Sequence, residues 1–411
     1  MDPREQRAII IAAMCRLERK GGVWFVPSQS AAEKKYTVDP AAGTCTCPDC
    51  EAGFLCKHVR AVRITLRRDL GMDGTVTETK TIVFEEKKTY KQNWPAYNAA
   101  QSCEKDRVLA LLHDLCQGIP EPPHPVGRKP TPLSDAAFAL AYKVYGGFSA
   151  RRFSSDLRDA HERGYVSQVI PGLKVPQFFE SATFTPILEA MISKSAAPLG
   201  AVESTFAVDS SGFASTRHET WYDHKYGVER RKCEWVKVHI ACGVKTNVVT
   251  AVRILDKDAA DSPQFRPLVQ ETAENFTIKE VCADKAYASN ENFEAVHDAG
   301  GTGYIPFKSN TTGGVGGLYE KMFHYFLFKR DEYLAHYHAR SNVESVFSAV
   351  KRKFGDSIRS RTDTAMKNEV LAKFLCHNLC VLVQEQHELG IEPIFWEKSI
   401  DGPSILPLLQ K

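Results

Sequence analysis

A chain of 411 residues is too long for one small domain and predicts two or three. Hydrophobic residues at 43% and charged residues at 25% describe an ordinary soluble globular protein, and no run reaches the roughly 18 apolar residues of a membrane span. A net charge of +3 is too small to indicate a charged partner by itself, and twelve cysteines without a secretory leader exclude a disulfide framework and point to a reducing cytoplasm. The start MDPREQRAIIIAAMCRLERK carries charges before and soon after a short apolar run, so it does not read as a signal peptide.

The first segment, residues 1–72, reads as a compact module. Val23–Val26 and Lys35–Val38 predict short strands, and Val59–Leu70 predicts a helix set with basic residues. Between them stand Cys45-Thr46-Cys47, eight residues, then Cys56-Lys57-His58. This C-x-C-x8-C-x-H arrangement resembles the SWIM zinc finger, which implies one structural Zn²⁺ on Cys45, Cys47, Cys56 and His58. Three thiolates and one imidazole suit a closed tetrahedral site, and in so small a module the metal would supply much of the folding free energy. Cys50 is a spare thiol inside the loop that would compete as a ligand, and free cytosolic thiols are the plain alternative. Arg60, Arg63, Arg67 and Arg68 favour DNA as the finger's partner over a merely solvated helix face.

Residues 73–132 read as a connector and linker. Lys105–Cys116 has helical spacing, and the following IPEPPHPVGRKPTP holds six prolines in fourteen residues, an extended linker composition. Within it Gly127-Arg128-Lys129-Pro130 is similar to an AT-hook core, in which Arg128 would enter a narrow minor groove; a plain spacer is the alternative. Residues 133–200 read as helical. Ser134 is a candidate N-cap for an apolar stripe ending at Gly146-Gly147, and a second helix follows with Phe153, Leu157 and Ala160 inward. Arg151, Arg152, Arg158 and Arg163 face outward. Two helices about a glycine turn, the second Arg-rich, suggest a helix-turn-helix that reads DNA, against a structural bridge to the segment beginning at Ala201.

From Ala201 the pattern turns to α/β. Phe206–Asp209, Val236–Val244 and Val248–Leu255 predict strands, then come a helix (Phe265–Asn275), a strand (Glu280–Asp284), a helix (Glu291–Asp298) and a strand (Gly303–Phe307). Asp209 and Asp284 each end an apolar run, where ligand sites of open α/β sheets lie. Taken singly, either would more often be a turn acid. Asp261, on the loop after the third strand, is a candidate supporting acid. Trp221, in a polar segment, is more often core than a base-stacking ring. Thr364–Leu389 predicts a buried helix, the catalytic segment spans 201–390, and 391–411 is a tail.

Tyr337, Arg340, Glu344 and Lys351 complete the pattern as Y-x2-R-x3-E-x6-K. Intervals of 3, 4 and 7 put all four on one face of a helix, where a carboxylate, two cations and a phenol would meet metal and phosphate. The alternative for Arg340 is intrahelical pairing with Glu344. Six cations against two acids between Arg340 and Arg361, with Lys351, Arg352 and Lys353 among them, favour an approaching polyanion. Two strand-tip aspartates and a helical glutamate form an oxygen-only set suited to two Mg²⁺ or Mn²⁺ ions about 3.5–4 Å apart.

At AVDSSGF, VCADKAYAS and YHARSNVESVFSAVKRKFG the chain resembles the DDE transposases of insertion sequences, in the branch with the tyrosine-arginine-glutamate-lysine signature, over roughly Ala201 to Glu388. The resemblance implies a ribonuclease-H-like mixed sheet flanked by helices, with Asp209, Asp284 and Glu344 as catalytic acids. It further implies hydrolysis at element ends, then strand transfer by the freed 3′-hydroxyl, with double-stranded DNA as partner and a homodimer on it. Tyr337, Arg340, Lys351, Arg352, Lys353, Arg128, Arg151 and Arg152 are the candidate DNA contacts. Only 59 residues separate Asp284 from Glu344, which leaves no room for the long β-rich insertion of some members. A metal-dependent nuclease on the same core and a non-catalytic DNA-binding derivative are the alternatives.

Overall fold

The computed structural model describes residues 3–29, 34–69, 93–123, 127, 130–215, 235–255, 260–308, 310–314 and 316–396. The chain forms two compact units, one of Met1–Tyr90 with Ile305–Tyr337 and one of Lys91–Tyr304 with His338–Lys411. Among the described residues no helix is long and apolar enough to cross a membrane.

The first unit opens with α1 (Pro3–Met14) and an antiparallel sheet of β1 (Glu18–Lys20), β2 (Val23–Pro27), β3 (Lys35–Asp39) and β4 (Thr44–Cys45). Strict alternation in β2 and β3 turns Trp24, Val26, Tyr36 and Val38 to one face, as expected of a sheet covered on one side. They pack with Ala8 and Ile11 of α1 and with Val59 and Val62 of α3 (Lys57–Asp69), which follows the short α2 (Pro48–Glu51).

The second unit starts with α4 (Trp94–Cys116), α5 (Leu133–Gly146), α6 (Phe153–Glu162), α7 (Val175–Glu180) and α8 (Phe184–Ala196). Helix α4 begins eleven residues before the predicted Lys105: Asn93 accepts from the Ala96 N–H, and a proline sits in the first turn. Those start signals lie in a stretch too polar to show helical periodicity. Then come β5 (Thr205–Ala214), β6 (Trp235–Gly243), β7 (Val249–Leu255), α9 (Ser262–Ala273), β8 (Glu280–Ala283), α10 (Asn290–Asp298) and β9 (Thr302–Tyr304). The strand order is β7-β6-β5-β8-β9, with β5 antiparallel to β6 and β6 to β7, and with β8 and β9 joined in parallel. Phe206–Val208 and Val281–Ala283 are continuous buried runs because β5 and β8 are inner strands with both faces covered.

After β9 the chain runs through α11 (Gly317–Phe328) and α12 (Arg330–Tyr337), which belong to the first unit, where α11 packs on α1. Phe307 is ringed there by Tyr319, Phe323 and Phe326. The sequence pattern places these residues inside the 201–390 segment; their aromatic surface instead groups them with the zinc-finger module. A 3₁₀ turn (His338–Arg340), α13 (Ser341–Phe354) and the 26-residue α14 (Asp363–Glu388) complete the second unit. Helix α14 is its spine, packed on α4, α5, α7 and α8. Its buried Asn378 donates to Val249 O (2.7 Å) and accepts from Val249 N (2.8 Å), holding the edge strand β7.

Candidate active site and metal cluster

Strands β5 and β8 run in parallel with Val208 opposite Ala283, so Asp209 and Asp284 are the next residues of adjacent chains, about 4.8 Å apart across the ladder. The His338–Arg340 turn packs against both strands. From it Arg340 Nη2 donates to Asp209 Oδ2 (2.8 Å) and Nη1 to Glu344 Oε1 (2.8 Å). One guanidinium thereby ties Asp209 to the acid in the first turn of α13; Asp209 lies in the middle of β5 and not at the strand end the sequence predicts, because β5 stays paired with β6 as far as Ala214. Burial pushes the Asp209 carboxyl above the usual range; the Ser210 N–H and Arg340 pull it down, and Asp284 and Glu344 push it up. The three carboxylates therefore share one electrostatic neighbourhood. Two carboxylates that raise the proton affinity of a third make an oxygen-only set whose charge a hard divalent cation would relieve, although among the described residues their ligand atoms are not drawn together as those of the cysteine–histidine cluster are.

The predicted single stripe is interrupted. Helix α12 ends at Tyr337, in the first unit, and Arg340 is the N-cap residue of α13. Lys351 donates to Ser211 Oγ (2.8 Å) and lies 5.1 Å from the Phe213 ring centre, so it faces the Asp209 strand. Arg352 bonds Ser348 Oγ within the helix (2.8 Å). Lys353 turns to α4, where Glu104 accepts its ammonium (2.6 Å) and the Tyr145 hydroxyl (2.8 Å). Glu344, with 61% of its side chain exposed, borders an open depression along α13 with Ser341, Ser348 and Arg352. Arg151 and Arg152 are exposed in the turn before α6. Arg128, Trp221 and the side chains of Arg67 and Arg68 lie outside the described residues.

A second polar group beneath the acids includes residues that no sequence motif singles out. Asp261 accepts from Lys237 Nζ (2.5 Å), lies 3.6 Å from His239 Nε2 and accepts from Ser210 Oγ at 3.5 Å. His239 Nδ1 is 3.2 Å from the Tyr287 hydroxyl. Burial lowers the fully enclosed His239 to a pKa of about 4, so it is neutral and serves as a bridge. The visible signal was Lys237 and His239 at a two-residue interval in an otherwise apolar strand, which puts both on one face.

In the first unit, Cys45 on β4, Cys47 before α2, Cys56 before α3 and His58 on α3 bring their ligand atoms within 4.8 Å of one another, all buried. Tetrahedral zinc with Zn–S of about 2.3 Å and Zn–N of about 2.0 Å needs donors roughly 3.5–4 Å apart; Cys45 Sγ and His58 Nδ1 are 3.9 Å apart. Hydrogen bonding from Cys45 drives the Cys56 thiol strongly down, while Cys45 and Cys47 are pushed up. Three enclosed thiols cannot all ionise without a cation, so the cluster fits zinc. Cys50 packs beside it outside the converging set.

Residues 200–379 match the family model of the transposase DDE domain, and residues 36–65 match that of the SWIM zinc finger. The chain thus carries a transposase DDE domain and, before it, a SWIM zinc finger. Asp209, Asp284, Glu344 and Lys351 fall inside the first match and all four zinc-cluster residues inside the second. The DDE match implies a ribonuclease-H-like core, in keeping with the mixed five-stranded sheet. Comparison with the curated proteins and with the solved structures found no match.

Proposed function

We propose that the protein cleaves DNA at the ends of a mobile element and joins the freed 3′-hydroxyl to target DNA, with Asp209, Asp284 and Glu344 holding Mg²⁺ or Mn²⁺. The observation that carries this reading is the parallel register of the two aspartates with Arg340 spanning Asp209 and Glu344. Divalent ions bound there supply charge stabilisation for the attacking and leaving oxygens of an in-line displacement. The chain's own residues position the DNA. Arg340 and Lys351 neutralise phosphate at the cut, Tyr337 and Arg352 act beside them, and Arg151 and Arg152 before α6 add sequence-independent affinity. Lys353, held by Glu104, is the weakest of these contacts. Helices α5 and α6 are the proposed DNA-reading pair; α5 is buried from Asp135 to Tyr142, so α6 and the turn before it face the duplex. Synapsis of two element ends makes a homodimer on DNA the expected assembly, acting in the cytoplasm at the nucleoid.

The test is strand cleavage and joining on a duplex spanning the DNA that flanks the gene, with and without Mg²⁺, for the parent and Glu344→Gln. Magnesium is omitted rather than chelated, because a chelator also strips the zinc. Cleavage at a discrete end with joining, both lost in the variant, supports the reading. Cleavage without joining makes the protein a nuclease. Binding without cleavage, unchanged in the variant, leaves a DNA-binding derivative and refutes the catalytic assignment.

A further inference from the structure

A cavity of about 490 Å³ opens in the second unit where α13 ends, between the C-terminal end of α5, helix α7, the segment 355–361 and the first turns of α14. Its size is that of a small-ligand site, larger than one phosphate requires. Phe179 and Phe354 give it an apolar wall, and Lys143, Arg359 and Arg361 supply cations.

The inner wall is fixed by its own hydrogen bonds. Gly355 ends α13 with φ 88°, a left-handed conformation that glycine adopts without strain. Buried Lys373 donates to Gly355 O and Ser357 O, both at 2.9 Å. Buried Glu369 accepts the N–H groups of Arg359 (3.0 Å) and Ser360 (2.8 Å). Arg359 Nη1 donates to Gly147 O at the end of α5 (2.5 Å). Glu369 is therefore committed to the backbone and lies 3.9 Å from the Lys373 ammonium, while Glu180, the other carboxylate on the lining, is exposed. Lys143 and Arg361 are left facing the space, and among the described residues Arg361 forms no ion pair. Burial and the nearby Arg359 both press the Lys143 ammonium down from its ordinary pKa. Cations crowded in a half-apolar recess are relieved by an anion.

Glu344 and Phe354 stand ten residues apart on one helix, about 15 Å. At about 3.4 Å of axis per phosphate on one strand, that is roughly four nucleotides. We propose that the cavity is a phosphodiester subsite, in which Lys143 and Arg361 hold a backbone phosphate of the bound DNA about four nucleotides from the cut. This rests on the reading that the protein acts on DNA.

The experiment measures binding, so it does not depend on catalysis. The full chain carrying Glu344→Gln binds a fluorescent duplex of the gene's flanking DNA across a salt series, alone and with Lys143→Ala, Arg361→Ala or both. Each single change is expected to lower the slope of log K against log salt by about 1, and the pair by about 2. A duplex series with one neutral methylphosphonate at successive positions then locates the contact. One position should weaken binding of the parent and cost nothing extra in Arg361→Ala. Arg361 is exposed, so its loss does not threaten the fold, and equal melting temperatures confirm it. Unchanged slopes in both variants overturn the subsite and leave the transposase reading standing. Competition by inorganic phosphate or a mononucleotide at micromolar concentration, with DNA slopes unchanged, assigns the cavity to a free anion and likewise overturns it. No binding by the parent refutes the DNA reading and the subsite together.

Discussion

Arg340→Ala is expected to weaken the fold and strengthen metal binding at once. The Arg340–Asp209 contact joins side chains only 22% and 18% exposed, whereas Glu344 is 61% exposed. A charge-assisted hydrogen bond in the first environment contributes about 1.5–3 kcal/mol, and an exposed i,i+4 pair about 0.3–0.5. Their loss removes about 2–3 kcal/mol, which lowers the melting temperature by roughly 3–5 °C in a unit of this size. The same guanidinium occupies carboxylate oxygens that a cation held by Asp209 and Glu344 would need, so on the proposed reading metal binding would displace it. Without Arg340 that cost disappears, and Mg²⁺ affinity rises by roughly one to two decades at about 1.4 kcal/mol per decade. Calorimetric Mg²⁺ titration in zinc-retaining buffer without DNA reads the affinity directly, and a thermal shift reads the stability. Arg340→Lys, which cannot bridge both acids, should fall between. Equal or weaker Mg²⁺ binding in Arg340→Ala would refute the view that arginine and metal compete for these oxygens.

Asn378→Leu leaves the buried Val249 N–H and C=O without their partner, and at about 1–3 kcal/mol for each group the loss is about 3–5 kcal/mol; a urea-derived change below about 1 kcal/mol contradicts it. Cys56→Ser removes a zinc ligand, and structural zinc contributes about 10–16 kcal/mol in finger peptides, as much as a whole domain's stability. The expected result is loss of bound zinc with tryptic cleavage in both 3–69 and 305–337 while 93–304 resists; protection of 305–337 would show that this segment folds without the zinc module. Burial depresses His377 to a pKa of about 4, below its unfolded value near 6.5. The unfolded state then binds the extra proton, so the contribution is present above about pH 6.5 and falls away toward pH 4, by about 2 kcal/mol at pH 5. Because Glu271 and Glu385 are raised to about 7 and act in the opposite sense, the quantity to read is the difference in pH dependence between the parent and His377→Gln, and parallel profiles would reject it.

The strands of the second unit were legible because β5 and β8 are unbroken apolar runs, and an acid at the end of such a run stands out. The zinc cluster was legible because its four ligands fall within fourteen residues, so spacing alone nearly closes the site. What was hidden depends on contacts distant in sequence. Lys353 counts as a free cation until α4 brings Glu104 to it from 249 residues away. His239 reads as an ordinary strand residue until its place on β6 sets it beside Tyr287 and beside Asp261, the loop acid that the sequence already offers as a supporting acid. The N-terminus of α4 was obscured for a local reason: Asn93 and the following proline signal a start, but the turns after them are too exposed to carry an apolar stripe.

The signature Y-x2-R-x3-E-x6-K is, physically, a junction and not a stripe. Tyr337 closes the excursion 305–337, and Arg340 stands at the start of the return to the second unit. At the base of the excursion the fully buried Tyr333 hydroxyl accepts from Ile305 N (2.8 Å) and donates to Ile305 O (2.9 Å). Closing a loop of this length costs about 3 kcal/mol in chain entropy. Two hydrogen bonds at about 1 kcal/mol each do not offset that alone. Burial of the tyrosine ring against Phe326 and Tyr325, worth about 1.5–3 kcal/mol for a large apolar side chain, does. The 59 residues between the second aspartate and the glutamate thus contain a closed loop that begins directly after β9 and ends seven residues before Arg340.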